Sequence, residues 1–211
     1  MPSPGAPRRN PLTLAVLISG GGTTLANLME RIRDGRLRGV TIELVISSRS
    51  TVRGVGIARA ADIPIEILRQ RNYPGNTAFS AAITAALDRV GVDLVVLAGF
   101  LCFWRLPPHY LGRVLNIHPA LLPQFGGRGF YGERVHAAVL AAGEKETGCT
   151  VHVVDNEYDH GRIIAQRRVP VHLDDTPDSL AQRVGIAERE LYPEVIQKIA
   201  DDGFTWLQRF R

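Results

Sequence analysis

Apolar positions along the chain fall into short runs that alternate with stretches of helical spacing. Leu12–Ile18, Ile42–Ile46, Ile63–Leu68 and Leu94–Leu97 are largely apolar and β-branched, the pattern of strands buried on both faces. Between them, Thr24–Asp34, Thr51–Ala61 and Thr77–Val90 carry apolar residues every three or four positions. In the last, Phe79, Ile83, Ala86, Leu87 and Val90 share one helical face. Strand alternating with helix predicts an α/β fold with a doubly wound, mostly parallel sheet. From Gly112 the pattern loosens. Arg113–Ile117 predicts a fifth strand, residues 119–132 a long loop of glycine and proline, and Glu133–Ala142 a helix. Thr150–Val154 and Arg162–Val171 alternate with period two, which predicts an antiparallel C-terminal portion. Thr176–Asp202 predicts a long helix with Asp178 in its first turn and Gly203 as its stop. No internal repeat interrupts this order.

Composition narrows the class. A chain of 211 residues, 45% hydrophobic and 22% charged, suits one soluble domain that buries a core without disulfides or metals. No apolar run is long enough to span a bilayer, so no membrane partner is expected. Cys102 and Cys149 stand far apart, each without a second cysteine nearby. That spacing fits neither a zinc site nor a disulfide framework, and points to a reducing, cytoplasmic setting without metal. Residues 1–11 hold Pro2, Pro4, Pro7 and Pro11 and read as a disordered tail ahead of a domain spanning 12–211. Arg8-Arg9 before Leu12–Ile18 only imitates a secretory signal, because the apolar stretch runs straight into glycines.

Charge adds less than it first suggests. Lys145 and Lys198 are the only lysines, so 23 of the 25 basic residues are arginine, with a net charge of +4. The arginines are spread from Arg8 to Arg211. The densest group, Arg31, Arg33, Arg36 and Arg38, sits at an expected helix end, where cations meet the negative pole of the helix dipole. No aromatic residues interleave with it as base-stacking platforms, so nucleic acid is not an expected partner.

In open α/β sheets, ligands bind beyond the carboxyl ends of the strands, which directs attention to two places. The first strand runs into Ser19-Gly20-Gly21-Gly22-Thr23-Thr24, then a helix. Glycines let the backbone approach an anion, and the helix start offers free N–H groups, so this is a candidate phosphate seat. It is not a dinucleotide fingerprint, because Leu25 stands where the third glycine belongs and no acidic residue ends the second strand. It is not a P-loop, because no lysine follows. A monophosphate fits better; a tight turn without ligand is the alternative.

The fifth strand ends in Leu115-Asn116-Ile117-His118-Pro119. Period two puts Asn116 and His118 on one face, and Pro119 stops the strand. An amide donor beside an imidazole is what acyl transfer needs, one group for a developing oxyanion and one for protons. A core histidine without a catalytic task fits the same pattern. The acidic loop Asp155–Gly161 is a candidate source of an orienting carboxylate, or a solvated hairpin tip. His109, His136, His152 and His172 read as structural. No Gly-x-Ser-x-Gly elbow appears, and neither cysteine sits in a nucleophile context, which favours direct transfer between two bound substrates.

Several stretches resemble the phosphoribosylglycinamide formyltransferases of the folate formyltransferase group. They are Leu17–Thr23, Leu97-Ala98-Gly99-Phe100, Asn116-Ile117-His118-Pro119-Ala120-Leu121-Leu122-Pro123, Thr150-Val151-His152, Tyr158-Asp159-x-Gly161 and Glu188–Pro193. The resemblance covers roughly residues 12–203. It implies a Rossmann-like fold and transfer of the formyl group of 10-formyltetrahydrofolate, as co-substrate, to the amine of glycinamide ribonucleotide in purine biosynthesis. It implies that Gly22, Thr23 and Thr24 hold the phosphate and Glu188 touches the ribose. Leu101, Cys102, Phe103 and Trp104 would hold the folate together with Asn116, Asp155, Asn156, Glu157 and Tyr158. Asn116, His118 and Asp159 would carry the chemistry, with Asp159 favouring a charged His118. Residues 12–111 become a phosphate-binding half and 112–211 a catalytic and folate-binding half. The partners implied are small molecules, for a monomer or a homodimer.

Departures from the family pattern lie in Phe125–Gly132, in Asp159-His160-Gly161, in Leu101–Trp104, and at Asn76, which takes the place of a folate-binding arginine. Rival readings are a formyltransferase acting on a nucleotide-sugar amine, a non-catalytic phosphosugar-binding protein, and an NADP-dependent reductase using Arg49. A deformylase or a methionyl-tRNA formyltransferase would need a further domain.

Overall fold

A computed structural model describes residues 11–210. The expected N-terminal tail, apart from Pro11, lies outside the described residues. The strands are β1 (Leu12–Ile18), β2 (Val40–Ser47), β3 (Ile65–Ile67), β4 (Leu94–Leu97), β5 (Val114–His118), β6 (Glu146–Val153) and β7 (Ile163–Pro170). The helices are α1 (Thr23–Arg33), α2 (Arg53–Ala60), α3 (Asn76–Val90), α4 (Glu133–Ala141) and α5 (Pro177–Asp202). The strands form one sheet in the order β3-β2-β1-β4-β5-β6-β7. The first five run parallel, and β6 is antiparallel to both of its neighbours, β5 and β7. The expected mostly parallel sheet with an antiparallel C-terminal portion is what forms.

Alternation along β1 sorts the core into two layers. Leu12, Leu14, Val16 and Ile18 face α1 and α5, where Leu25, Leu28, Leu180, Val184, Tyr192 and Ile196 cover them. Ala15 and Leu17 face the other way, against Phe79, Ile83 and Leu87 of α3, with Trp104 and Tyr110 beside them. That second layer takes residues from β1, β2, β4 and the first residue of β5, and none from β6 or β7. The sheet face over the carboxyl end of β5 and over β6 is thereby left without a helix, and polar side chains occupy it.

Element ends moved where polar residues continue a ladder. β6 begins at Glu146, ahead of the expected Thr150, because Glu146–Cys149 pair with Arg167–Pro170 of β7. β3 shortens to three residues at the sheet edge. α1 begins at Thr23 and ends at Arg33, with Arg31 and Arg33 in its last turn, the place expected for the basic cluster. Thr176 and Ser179 close a reciprocal capping box at the start of α5, and Gly203 with φ 73° ends it.

Candidate active site

A cavity of about 610 Å³ lies at the carboxyl ends of β1, β4 and β5. One end is the glycine loop. Gly22 has φ 71°, and a Cβ there would meet the Cα of Gly54 at 2.6 Å. Glycine at 22 therefore serves two needs, the left-handed backbone and the close approach of α2. Gly54 donates its backbone N–H to the Gly20 carbonyl at 3.2 Å, which fixes the loop on α2. The start of α1 has no side-chain cap and no acidic residue in its first turn. Its N–H groups and positive dipole end face the cavity through Thr23 and Thr24.

At the other end, the β5–β6 register places Asn116 opposite His152 and His118 opposite Thr150. These four share the face that no helix covers. His152 brings Nδ1 to 3.1 Å from its neighbour's carbonyl, Val153 O. A carbonyl only accepts, so Nδ1 carries the proton, and Nε2 accepts from the Asn116 amide at 3.1 Å. The same amide nitrogen lies 3.4 Å from Asp159 Oδ1. His118 donates from Nε2 to the Phe125 carbonyl at 2.8 Å. Its free Nδ1 therefore faces Asp159 Oδ2, 3.5 Å away. The Gly127 backbone N–H donates to that same oxygen at 3.0 Å. Asp159 itself is held in the left-handed region at φ 53°, so its loop turns the carboxylate inward between the two histidines.

Burial sets the resting protonation. Desolvation pushes His118 below its ordinary 6.5, against the upward pull of the Asp159 charge and the Phe125 hydrogen bond. The imidazole is thus neutral at pH 7, with its open lone pair on Nδ1. The expectation that Asp159 keeps His118 charged holds in direction but loses to burial in the resting site. Desolvation raises the Asp159 carboxyl, but the two histidine rings beside it, which favour its charge whenever either is protonated, and the Gly127 N–H together bring it below its ordinary value.

Other expected site residues divide. Leu101, Cys102, Phe103, Asp155, Glu157 and Tyr158 line the cavity. The Phe103 and Tyr158 rings meet at 5.1 Å, joining the two segments expected to hold folate. Trp104 reaches the cavity wall, but its side chain is buried in the α3 layer and its indole N–H donates to Thr84 at 3.2 Å. Asn156 does not line the cavity. Its side chain instead clamps the backbone of Leu106, accepting from the N–H at 2.8 Å and donating to the carbonyl at 3.3 Å. Asn76 donates to the Phe103 carbonyl, 2.6 Å away, and so supports the 101–104 segment from beneath. Glu188 of α5 lines the phosphate end, and desolvation pushes its carboxyl up to about 7, opposed by the Arg189 charge. Arg49, which the reductase reading required, is not among the lining residues.

Two histidines read as structural belong to the cavity wall. His152 holds Asn116, and His136 of α4 is buried beside His118 with Nδ1 unpartnered. A signal for His152 was present: Asn116-x-His118 and Thr150-x-His152 have the same spacing, and antiparallel pairing of those strands brings them together. Among the described residues no cluster of His, Cys, Asp and Glu could hold a metal ion. Among them, too, no helix is long and apolar enough to cross a membrane.

Residues 12–196 match the formyl transferase family. The chain is 40% identical over 203 residues to a chloroplastic phosphoribosylglycinamide formyltransferase of Arabidopsis thaliana, covering 95% of this chain and 68% of that protein. It is 35% identical over 194 residues to the phosphoribosylglycinamide formyltransferase of Escherichia coli, covering 90% and 88%. Much longer relatives exist, among them a trifunctional purine biosynthetic protein of Gallus gallus, of which the chain spans 19%. The crystal structure of glycinamide ribonucleotide transformylase 1 from Symbiobacterium toebii superposes with a TM-score of 0.84 at 39% identity, covering 92% of this chain and 89% of that one. The match takes in both the glycine loop and the helix that carries Glu188, and the chain belongs to the formyl transferase family.

Proposed function

We propose that this chain transfers the formyl group of 10-formyltetrahydrofolate to the amine of glycinamide ribonucleotide, a step of purine biosynthesis. The observation that carries the reading is one continuous cavity with an uncapped, glycine-rich helix start at one end and Asn116, His118 and Asp159 within reach of one another at the other. The Arabidopsis thaliana and Escherichia coli relatives, at 40% and 35% identity, bear the same activity in their names. Neither is named for a nucleotide-sugar amine or for binding without catalysis, and those alternatives are not supported.

In this reading Gly22, Thr23 and Thr24 seat the phosphate on backbone N–H groups, and Glu188 takes the ribose hydroxyls. The cleft between Leu101–Phe103 and Asp155–Tyr158 holds the folate; its size and mixed aromatic and polar wall suit such a ligand. The substrate amine attacks the formyl carbon and a tetrahedral intermediate forms. Asn116 stabilises its oxyanion with the N–H that the resting site gives to Asp159, while its other N–H stays on His152. Neutral His118, open at Nδ1 beside the Asp159 carboxylate, takes the amine proton. The resulting imidazolium is then paired with Asp159 and passes the proton to the leaving nitrogen of the folate. No covalent enzyme intermediate is needed.

Residues 12–111 supply the phosphate end and 112–211 most of the chemistry, within one domain. The reading takes the site to be complete in a monomer or in each protomer of a homodimer. Both cysteines are free, in keeping with a cytoplasmic, reducing location. The test is turnover of glycinamide ribonucleotide with 10-formyltetrahydrofolate against a panel of other amines. Preferred turnover of an amino-sugar nucleotide would overturn the assignment.

A further inference from the structure

The cavity has a charge imbalance that the phosphate loop does not resolve. Six acidic side chains line it, Glu133, Asp155, Glu157, Asp159, Asp178 and Glu188, of which Glu188 alone has its carboxyl pushed up to about 7 and carries only part of a charge at neutral pH. Among the described lysines and arginines, Arg189 alone lines it. A phosphate entering this cavity meets net negative charge, and two of the carboxylates, Asp178 and Glu188, stand on the same helix as Arg189. Backbone N–H groups and a helix dipole supply partial charges only. A dianion in such surroundings calls for a full positive charge nearby.

Arg189 is built into this place. On α5, Asp178, Ala181, Gly185 and Glu188 follow at helical spacing and all line the cavity. The two small residues leave a trough between the acidic ones. Helical side chains lean toward the N-terminus, so Arg189 lies back over Gly185. A Cβ placed on Gly185 would stand 3.3 Å from the Arg189 guanidinium, so a side chain at 185 would crowd it. The backbone at 189 is anchored as well. Pro193 has no N–H to give to the carbonyl four residues earlier, which is that of Arg189. The freed carbonyl accepts from the Asn27 side chain of α1 at 2.8 Å. Asn27 lies one turn beyond Thr23, so this bond ties the Arg189 segment to the helix whose start forms the phosphate seat.

We propose that Arg189 is the cation that binds the substrate phosphate, opposite the Gly22–Thr24 backbone, and that it selects a phosphorylated acceptor over the same acceptor without phosphate. This rests on the proposed function only in taking the acceptor to be a ribonucleotide.

The test compares the intact protein with R189Q, R189K and G185L by two readouts. One is binding of inorganic phosphate by calorimetry. The other is steady-state turnover of glycinamide ribonucleotide and of unphosphorylated glycinamide riboside. A lost charge-assisted contact predicts that R189Q raises KM for the ribonucleotide by about 10- to 100-fold and weakens phosphate binding to a similar extent, with kcat and the folate KM changed far less. R189K should recover part of the loss. G185L, which crowds the guanidinium while leaving its charge in place, should act in the same direction. Turnover of the riboside should be equal for the intact protein and R189Q. Unchanged phosphate binding in R189Q overturns the proposal, and so does an equal loss on riboside and ribonucleotide, which would mark a structural role. If phosphate binding depends on Arg189 but the ribonucleotide is not formylated by the intact protein, the proposed function fails and the Arg189 assignment stands.

Discussion

The Asn116 amide donates to Nε2 of His152 at 3.1 Å, and His152 can only accept there because its other nitrogen is committed to the Val153 carbonyl. The tautomer of one buried side chain thereby fixes which way its cross-strand partner's amide is turned. Asn116 is thereby held with its donor side against His152 and Asp159.

Replacing His152 with leucine removes this constraint while keeping an apolar body in a buried position. Asn116 then loses its acceptor and is free to rotate. Loss of alignment of a reacting-site donor predicts a fall in kcat of up to about 10²-fold, with substrate KM values far less affected. Unaltered kcat in a well-folded H152L protein would show that His152 does not position Asn116.

Asp159 offers a sharper case. Asp159→Asn keeps the size of the side chain and an oxygen for the Gly127 N–H, but removes the charge facing His118 Nδ1. The proton taken from the amine then has no counter-charge to settle against. Loss of positioned proton transfer costs about 10²–10⁴ in rate. Inorganic phosphate should still bind D159N with near-normal affinity, since the loop lies at the cavity's other end. A fully active D159N would remove Asp159 from the chemistry.

How far these positions could be read from the sequence follows their range of interaction. β1 and β4 show as largely apolar runs because both faces are covered, and Asn116 and His118 show because their spacing and the following Pro119 are local. The glycine loop is local too: strand, three glycines, helix. His152 was passed over because its partner lies in another strand, and only the β5–β6 register joins them. Asn156 sits in the right loop for folate, but its side chain turns to the Leu106 backbone, a contact between residues far apart in sequence. The neutral state of His118 depends on burial, which no spacing reports. Arg189 escaped because the trough beneath it is made by side chains that are absent, at Ala181 and Gly185.

The acid side of the pH profile follows from His118. Burial lowers its folded-state pKa below 6.5, so the unfolded chain takes up a proton that the folded site refuses. Stability from this group is fully present above 6.5 and declines as pH falls below it through the folded value. Asp159, lowered from 3.8, adds stability above that value and loses it only at more acidic pH. Chemical denaturation from pH 7 to 5 should therefore show falling stability, and His118→Gln should flatten the fall. In an NMR titration, D159N should move the His118 transition to still lower pH, because one upward influence is gone. A transition moved upward would contradict the arrangement.

Tyr192 links the two strands whose ends carry the site. Its buried hydroxyl lies 2.8 Å from the Leu115 carbonyl and 3.2 Å from the Leu97 carbonyl, so α5 holds β5 and β4 together one residue before Asn116. Tyr192→Phe leaves both contacts unmade and should cost about 1–3 kcal/mol of stability, read from urea midpoints. No loss, or a gain, would show that the hydroxyl is not needed to hold these strand ends.

The phosphate loop gives the most demanding substitution. Gly22→Ala asks a residue with a Cβ to hold φ 71° and to stand 2.6 Å from the Gly54 Cα. The left-handed backbone alone costs about 1–2 kcal/mol, and the contact is with backbone, which cannot rotate aside. The loop and the start of α2 must separate, which carries the Thr23 and Thr24 N–H groups out of line. Reduced thermal stability together with an inorganic phosphate affinity lowered at least about tenfold is expected, since each 1.4 kcal/mol of lost interaction is tenfold in binding. Gly21→Ala is the control, because a Cβ there meets nothing within 4 Å. It should fold as the parent does. If G22A binds phosphate as well as G21A does, the close approach of Gly22 and Gly54 is not what shapes the seat.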